Sequence, residues 1–493
     1  MPATLATAPL PELAAPKIFV QPAFLWKISI IGGLSGILYG YDSGIVAAAS
    51  PYFNHDFQLS DTGLMANIIV SSLLIGVMIG SLAGGQIADR IGRRVTILYG
   101  AIIFIAGSLI AQFAQNTEVL ITARFVLGLS IGFTSVTAPV YLSELAPPQS
   151  RGKLVGFYQL YFTLGMALSS VVGYLFTSKD TGNWHAMFGV GAIPAAVLFL
   201  LVLALPESPR WLFSKGRNDK ANAILRSYTS PAGAAFMLEE IQSALRSNVQ
   251  TTWAALFTKN VRPYLIIASV FLMLLAVTGI NAVFYYAATI FKLAGVASTQ
   301  IDLEMNIILT VINVLGTIVG MLLIDKVGRK PLLYVGLIGM TISLAVLAPA
   351  WHHYDTVIAP YNALVAQNPA TPPLVDNSIF GKELGPIALT CFIVYIACFA
   401  FSLGVIAWVI ASELFPIQVR GRGIAAASTA YGLVNFVVTL TFGPLVDAMG
   451  GAATFGMYGF FCLATLIFVI FFFPETKGVE LEEISKRPPE LAA

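Results

Sequence analysis

The chain carries one polar hinge twice. Gly84–Arg94 reads GGQIADRIGRR and Gly320–Lys330 reads GMLLIDKVGRK. Each copy follows one long apolar stretch and precedes another. Each sets Gly, Asp, a cation and then Gly-Arg-Arg or Gly-Arg-Lys in the same order. A repeated polar hinge between apolar stretches predicts two homologous helical bundles. A site held between two such bundles can open to one side of a membrane and then to the other.

Composition agrees. Hydrophobic residues make up 57% of the sequence and charged residues 11%, against roughly 25% charged in a soluble domain. Apolar runs of about 20 residues or more are each long enough to cross roughly 30 Å of hydrocarbon as a helix. Backbone groups in lipid must be satisfied internally, so such runs predict helices and not open sheets. The expected fold is all-α: twelve transmembrane helices in two pseudo-symmetric six-helix bundles. The first six spans are placed near 26–49, 65–88, 95–114, 118–139, 153–177 and 184–205. The second six are placed near 263–291, 304–325, 331–350, 386–411, 422–446 and 452–473. The domain reading is a cytoplasmic tail 1–25, an N-terminal bundle 26–205, a linker 206–262 with short helices, a C-terminal bundle 263–473 and a cytoplasmic tail 474–493.

Basic residues set the expected orientation. With both termini cytoplasmic, cytoplasmic segments hold 23 of the 27 Lys and Arg residues. Lys179, Lys292 and Lys382 fall outside, and Arg124 lies within a span. The net charge of +2 and the absence of a basic stripe give no reason to expect nucleic acid. Cys391, Cys398 and Cys462 lie in apolar runs without metal-type spacing and read as small buried residues. His55, His185, His352 and His353 fall near or outside span ends, with His352 and His353 expected on an extended solvated loop. No nucleophile–base set, metal cluster or phosphate-cradling loop points to an enzyme. The glycine-rich hinges lie between helices and not after a strand, so a dinucleotide reading fails. No cofactor is expected.

Further repeats accompany the hinge. Ser143–Gly152 reads SELAPPQSRG and Ser412–Gly421 reads SELFPIQVRG. Pro206-Glu207-Ser208 follows the sixth span and Pro474-Glu475-Thr476 the twelfth. Asp89, Arg93, Arg94, Glu144 and Arg151 are expected to meet where the N-half helices end, and Asp325, Arg329, Glu413 and Arg420 where the C-half helices end. Glu207 and Glu475 add acceptors. Such matched charges at the membrane edge can latch the cytoplasmic face as a network, or serve only as helix-end anchors. Single exposed pairs are worth little.

Two charges stand inside apolar spans, Asp42 and Arg124. A lone charge there costs at least about 2.5–3.5 kcal/mol and is a functional candidate by default. Burial and a cationic neighbour act on a carboxylic acid in opposite senses. A carboxylate that exchanges an Arg partner for a proton is therefore a coupling device, and a static pair is the plainer alternative. Amides within spans are the other polar signal: Gln159, Asn281, Asn313 and Asn435. An amide offers donors and an acceptor to a hydroxylated ligand, and the plainer alternative is a helix–helix hydrogen bond. Gly279, just before Ile280-Asn281, suggests a break in the seventh span.

From about Trp26 to Ile484 the chain resembles the sugar porter family of the major facilitator superfamily, which includes proton-coupled bacterial xylose and hexose symporters and facilitative glucose transporters. The stretches that carry the resemblance are GYDSGIV (40–46), GGQIADRIGRR, RFVLGLSIGF (124–133), PVYLSELAP (139–147), PESPRWL (206–212), GINAVFYY (279–286), DKVGRK (325–330), SELFP (412–416) and PETKG (474–478). The resemblance implies a secondary transporter of a monosaccharide or polyol, in the bacterial plasma membrane, working by alternating access as a monomer among lipids. It implies Asp42 and Arg124 as the proton-coupling pair, with the proton as coupling ion. It implies sugar contacts by Gln159, Asn281, Asn313 and Asn435, a stacking Trp408, an aromatic Tyr39 and an outer gate at Tyr285 and Tyr286. A facilitative uniporter, a porter of another polar metabolite such as a cyclic polyol acid, and a non-transporting sugar sensor are the alternatives.

The chain departs from the family pattern twice. Leu275 and Ala276 stand where relatives carry Gln-Gln. Gly404-Val405 stands where they carry Gly-Pro, which predicts a straighter tenth span. Both departures touch the C-half of the expected sugar site.

Overall fold

A computed structural model describes residues 20–146, 151–178, 181–246, 253–295, 299–367, 384–415 and 419–473. The N-half comprises α1 (Pro22–Asp56), α2 (Leu64–Ile91), α3 (Arg93–Gln112), α4 (Thr117–Leu145) and α5 (Arg151–Leu175), then a small hairpin of β1 (Thr177–Ser178) and β2 (Thr181–Gly182). The sixth span follows as α6 (Trp184–Val190) and α7 (Ala192–Leu203). The linker helices are α8 (Pro209–Ser214), α9 (Asn218–Tyr228) and α10 (Pro231–Arg246). In the C-half the seventh span is divided into α11 (Arg262–Val277), α12 (Ile280–Tyr285) and α13 (Ala287–Leu293). Next come α14 (Thr299–Val327), α15 (Arg329–His353), α16 (Ala359–Gln367), α17 (Leu384–Phe401), α18 (Leu403–Glu413) and α19 (Arg420–Phe472).

Ten helical stretches among the described residues are long and apolar enough to cross a membrane. The α19 stretch supplies two spans, because Gly450 leaves the helix at φ 79°, and α5 completes twelve. Apolar side chains such as Leu82, Ile102, Leu200, Leu322, Val335 and Phe460 are exposed. A surface of this kind suits lipid.

Both copies of the hinge adopt one backbone shape. Gly92 lies between α2 and α3 at φ 108° and Gly328 between α14 and α15 at φ 107°. An L side chain is strained there. At Gly92 the Glu207 carboxylate also occupies the space that a Cβ would take. The sequence repeat is thus a repeat of geometry.

Within the N-half, glycines let helices approach closely. Gly76 and Gly80 of α2 lie against Gly128 and Gly132 of α4, backbone against backbone, the small-residue packing expected where lipid supplies no hydrophobic drive. The linker docks on this half. Gln21 N donates to Tyr228 O at 3.0 Å, the Phe24 and Tyr228 rings stack at 4.1 Å, and Trp211 Nε1 donates to Asp89 O at 3.0 Å.

Two expectations are corrected. The tenth span is interrupted at Ser402, between α17 and α18, and is not straighter. Ser402 Oγ bonds back to Cys398 O at 2.5 Å, a competitor for the helical ladder, and its side chain fills the space left open at Gly336. His352 and His353 close α15 and do not lie on an extended loop.

Candidate functional site

Asp42 and Arg124 meet inside the N-half. The Arg124 Nη1 donates to Asp42 Oδ2 at 2.7 Å, and its distance to the Asp42 carbonyl oxygen is 3.4 Å. The side chains are 0% and 2% exposed for Arg124 and Asp42. The Phe188 ring lies 5.8 Å from the guanidinium carbon. Arg124 Nε and Nη2 have no hydrogen-bond partner among the described residues. The pair is therefore close but incompletely satisfied, and a buried charge pair is robust only when its remaining groups are bonded as well.

The local folding explains the position. Asn116 caps α4, its side chain accepting from Val119 N at 2.9 Å, and Arg124 follows two turns into the helix. Asp42 sits mid-way along α1, which packs tightly on α5 where Gly36 and Gly40 face the Tyr158–Phe162 backbone. Tyr41, next to Asp42, is tied to the sixth span through Tyr41 Oη and Met187 O at 2.6 Å.

The C-half supplies a polar cluster. Asn281 Nδ2 donates to Tyr431 Oη at 2.9 Å and to Asn435 Oδ1 at 2.9 Å. Trp408, 39% exposed, stands edge-on to Tyr431 with ring centroids 5.6 Å apart. Tyr286 Oη donates to Thr439 O at 2.9 Å, and Tyr285 is buried. Asn313 lies across the seam, its Nδ2 3.8 Å from Met166 Sδ of the N-half. From the N-half, Tyr39 packs edge-on against Phe162 at 4.9 Å and lies near Asp42, Tyr158, Tyr285 and Tyr431. Gln159 is half-buried on α5. Arg124 lies near Tyr285 and Tyr286. The buried ion pair thus lies beside the seventh-span tyrosines, where the halves meet.

The seventh span is broken where the polar cluster begins. Thr278 and Gly279 separate α11 from α12, with Gly279 at φ 86°. Tyr395 Oη caps the buried end of α11 by donating to Thr278 O at 2.8 Å. The Tyr458 ring fills the space beside Gly279. Leu275 and Ala276, in the last turn of α11, are 3% and 0% exposed. Tyr431 was not singled out in the sequence. A tyrosine in an apolar run reads as core, and its partner lies 150 positions away.

The linker end gathers three motifs. Arg93 Nη1 pairs with Asp89 Oδ1 at 2.9 Å and Arg93 Nε with Glu144 Oε2 at 3.0 Å. Glu207 Oε1 accepts from the backbone N–H of Arg93, Arg94 and Ser208 at 3.0, 3.1 and 2.8 Å. Arg94 donates to the carbonyls of Val202 and Leu203. Ser208 Oγ donates to Glu144 Oε2 at 2.5 Å and caps α8. All these contacts lie within the N-half and its linker. In the C-half, Arg329 Nη1 donates to Ile324 O at 3.3 Å, repeating Arg93 Nη1 to Ala88 O at 3.0 Å. The side chains of Arg151, Asp325, Glu413 and Arg420, and Glu475 as a whole, lie outside the described residues.

Twelve helical spans in two bundles, joined by a docked linker and meeting over buried polar side chains, define a multi-pass membrane transporter with the major facilitator fold. The chain belongs to the family described as "Sugar (and other) transporter", which it matches over residues 28–487. It is 34% identical to the arabinose-proton symporter of Escherichia coli K12 over 462 residues, covering 93% of this chain and 92% of that protein. It is 34% identical to the major myo-inositol transporter IolT of Bacillus subtilis over 472 residues, covering 94% of each. The xylose transporter XylE from E. coli, in a partially occluded inward-open conformation, superposes with a TM-score of 0.77 at 28% identity, over 93% of this chain and 100% of that one.

Proposed function

We propose that this protein is a proton-coupled symporter of a monosaccharide, hexose or pentose, or of an uncharged polyol, working by alternating access. The observation that carries the reading is the buried Asp42–Arg124 pair at 2.7 Å, placed beside Tyr285 and Tyr286. A proton arriving on Asp42 dissolves the ion pair and frees Arg124. The rearranged guanidinium acts on the adjoining seventh-span tyrosines and so links protonation to the sugar gate. Release of the proton on the other side restores the pair. With one proton per sugar, a pH gradient of one unit sustains about a tenfold sugar gradient, since one unit is about 1.36 kcal/mol.

The substrate is held between Asn281, Asn435, Tyr285, Tyr286 and Trp408 of the C-half and Tyr39 and Gln159 of the N-half, with Asn313 at the seam. Amides and hydroxyls address sugar hydroxyls, and the half-exposed indole offers an apolar plate. Arg124 is the cation available within the spans and Asp42 occupies it, which disfavours an acidic substrate. In the proposed orientation the linker end is cytoplasmic. The Asp89, Arg93, Arg94, Glu144, Arg151 and Glu207 cluster forms one jaw of the inner gate there. Asp325, Arg329, Glu413, Arg420 and Glu475 form the other. The protein acts as a monomer in the bacterial plasma membrane and needs no cofactor besides the proton.

The test is uptake by the full chain in proteoliposomes, with a panel of xylose, arabinose, galactose, glucose and myo-inositol, with and without an inward pH gradient. Accumulation against a sugar gradient is expected only with the pH gradient. Asp42→Asn should abolish accumulation and keep counterflow exchange. No uptake or exchange of any of these compounds would defeat the proposal, and continued accumulation by Asp42→Asn would defeat the coupling role.

A further inference from the structure

At the end of the bundle opposite the linker, a charge joins the two halves. Asp61 lies in the loop between α1 and α2. Its Oδ1 accepts from Asn54 Nδ2 at 3.1 Å and its Oδ2 from Lys292 Nζ at 2.6 Å. Asn54 is 2% exposed and so holds the carboxylate in a set direction. Lys292 belongs to the other half. It stands in the last turn of α13, the outermost piece of the broken seventh span, just before Gly295 at φ 84°.

Lys292 has a second acid in its field. Asp302, in the first turn of α14, interacts electrostatically with it. Asp302 is 3% exposed, and its Oδ1 has no hydrogen-bond partner among the described residues. The helix start favours an acid at this position. It does not explain burying a carboxylate oxygen without a donor, an arrangement that is costly. An acceptor kept vacant next to a lysine that is engaged elsewhere suits a lysine that moves.

The geometry points to Lys292 as a two-position latch: Asp61 of the N-half holds it while this end is closed, and Asp302 of its own half receives it when this end opens. The moving part is α13, which is separated from α11 by the Gly279 break and from α12 by Tyr286. Neutral cross-half bonds at the same end, such as Asn306 Nδ2 to Ser170 Oγ at 3.2 Å, break without leaving a charge behind. An ammonium that passes from one carboxylate to another is never left unpaired, so opening avoids the penalty of a stranded charge. The inference rests on the alternating-access reading above and identifies what governs the closed-to-open balance at the non-cytoplasmic face.

The experiment measures that balance without substrate. Spin labels are placed at Ser178→Cys of the N-half and Thr356→Cys of the C-half, in the full chain with Cys391, Cys398 and Cys462 replaced by Ala, and their distance distribution is recorded in nanodiscs. Asp61→Asn and Lys292→Gln should each raise the ratio of long to short distances about two- to fivefold, the range expected of an exposed pair. The exchange Asp61→Lys with Lys292→Asp should bring the ratio back toward the starting value. Asp302→Asn should shift it the opposite way, toward short distances. An unchanged ratio in monodisperse Asp61→Asn protein overturns the latch. A shift toward long distances in Asp302→Asn overturns the second position. Sugar uptake is scored separately: two distance populations without uptake defeat the proposed substrate class and leave the latch standing.

Discussion

The side-chain amide of Asn281 donates to the Tyr431 hydroxyl at 2.9 Å and so joins the seventh span to the eleventh. Its second N–H goes to Asn435, so both donors are engaged within the C-half. The Tyr431 ring also stands edge-on to Trp408. Tyr431→Phe keeps the ring contact and removes the acceptor. The expected result is a sugar KM raised about two- to tenfold, the worth of one ordinary hydrogen bond, with the maximal rate little changed. Counterflow kinetics check this. An unchanged KM would make Tyr431 a packing residue.

Gly279 is held by two constraints at once. Its φ of 86° disfavours any L side chain by roughly 1–2 kcal/mol, and the Tyr458 ring occupies the position of a Cβ. Gly279→Ala should lower the melting temperature in detergent and abolish transport. Gly279→Ala with Tyr458→Ala removes the collision and not the backbone strain. It should therefore recover only part of the loss. Full recovery would show that the backbone conformation is not required.

The two acids around Arg93 differ in setting. The Glu144 side chain is 6% exposed and also accepts from Ser208, whereas the Asp89 side chain is 73% exposed. A screened surface pair is worth about 0–1 kcal/mol. Breaking a buried one costs about 3–5 kcal/mol. Glu144→Gln should depress the melting temperature several-fold more than Asp89→Asn. Equal effects in thermal unfolding would refute this ranking.

The legible parts of this molecule were those where a residue contradicts its surroundings. Asp42 and Arg124 stand out because a charge in an apolar run needs a partner, and the structure brings the two together. Gly92 and Gly328 stand out because the same residue recurs at the same place in a repeated hinge, and the backbone there is the same. Tyr431 contradicts nothing in its own span, so only tertiary packing reveals it. The break at Ser402 is not legible in the sequence, because the absence of a proline does not make a helix straight. The interruption falls at a serine that bonds back to Cys398. The latch was hidden for a similar reason: Asp61, Lys292 and Asp302 each look like ordinary span-end charges.

Leu275 occupies the last turn of α11 and is 3% exposed, and Ala276 is 0% exposed, where the family pattern has two glutamines. The positions differ in what they can accept. Leu275→Gln is close to volume-conserving, and the position lies in the last turn of α11, at the break that leads to Asn281. Ala276→Gln forces extra heavy atoms into a closed site, which typically costs about 1–3 kcal/mol. Leu275→Gln alone should therefore tighten hexose binding, by about two- to tenfold if the amide gains one hydrogen bond to the sugar. Ala276→Gln alone should lower the melting temperature, and the double variant should combine both effects. Counterflow affinity and thermal unfolding on the same preparations separate the two. If Leu275→Gln weakens hexose binding, this position does not face the substrate, and the sugar pose in this chain differs from one built on the glutamine pair.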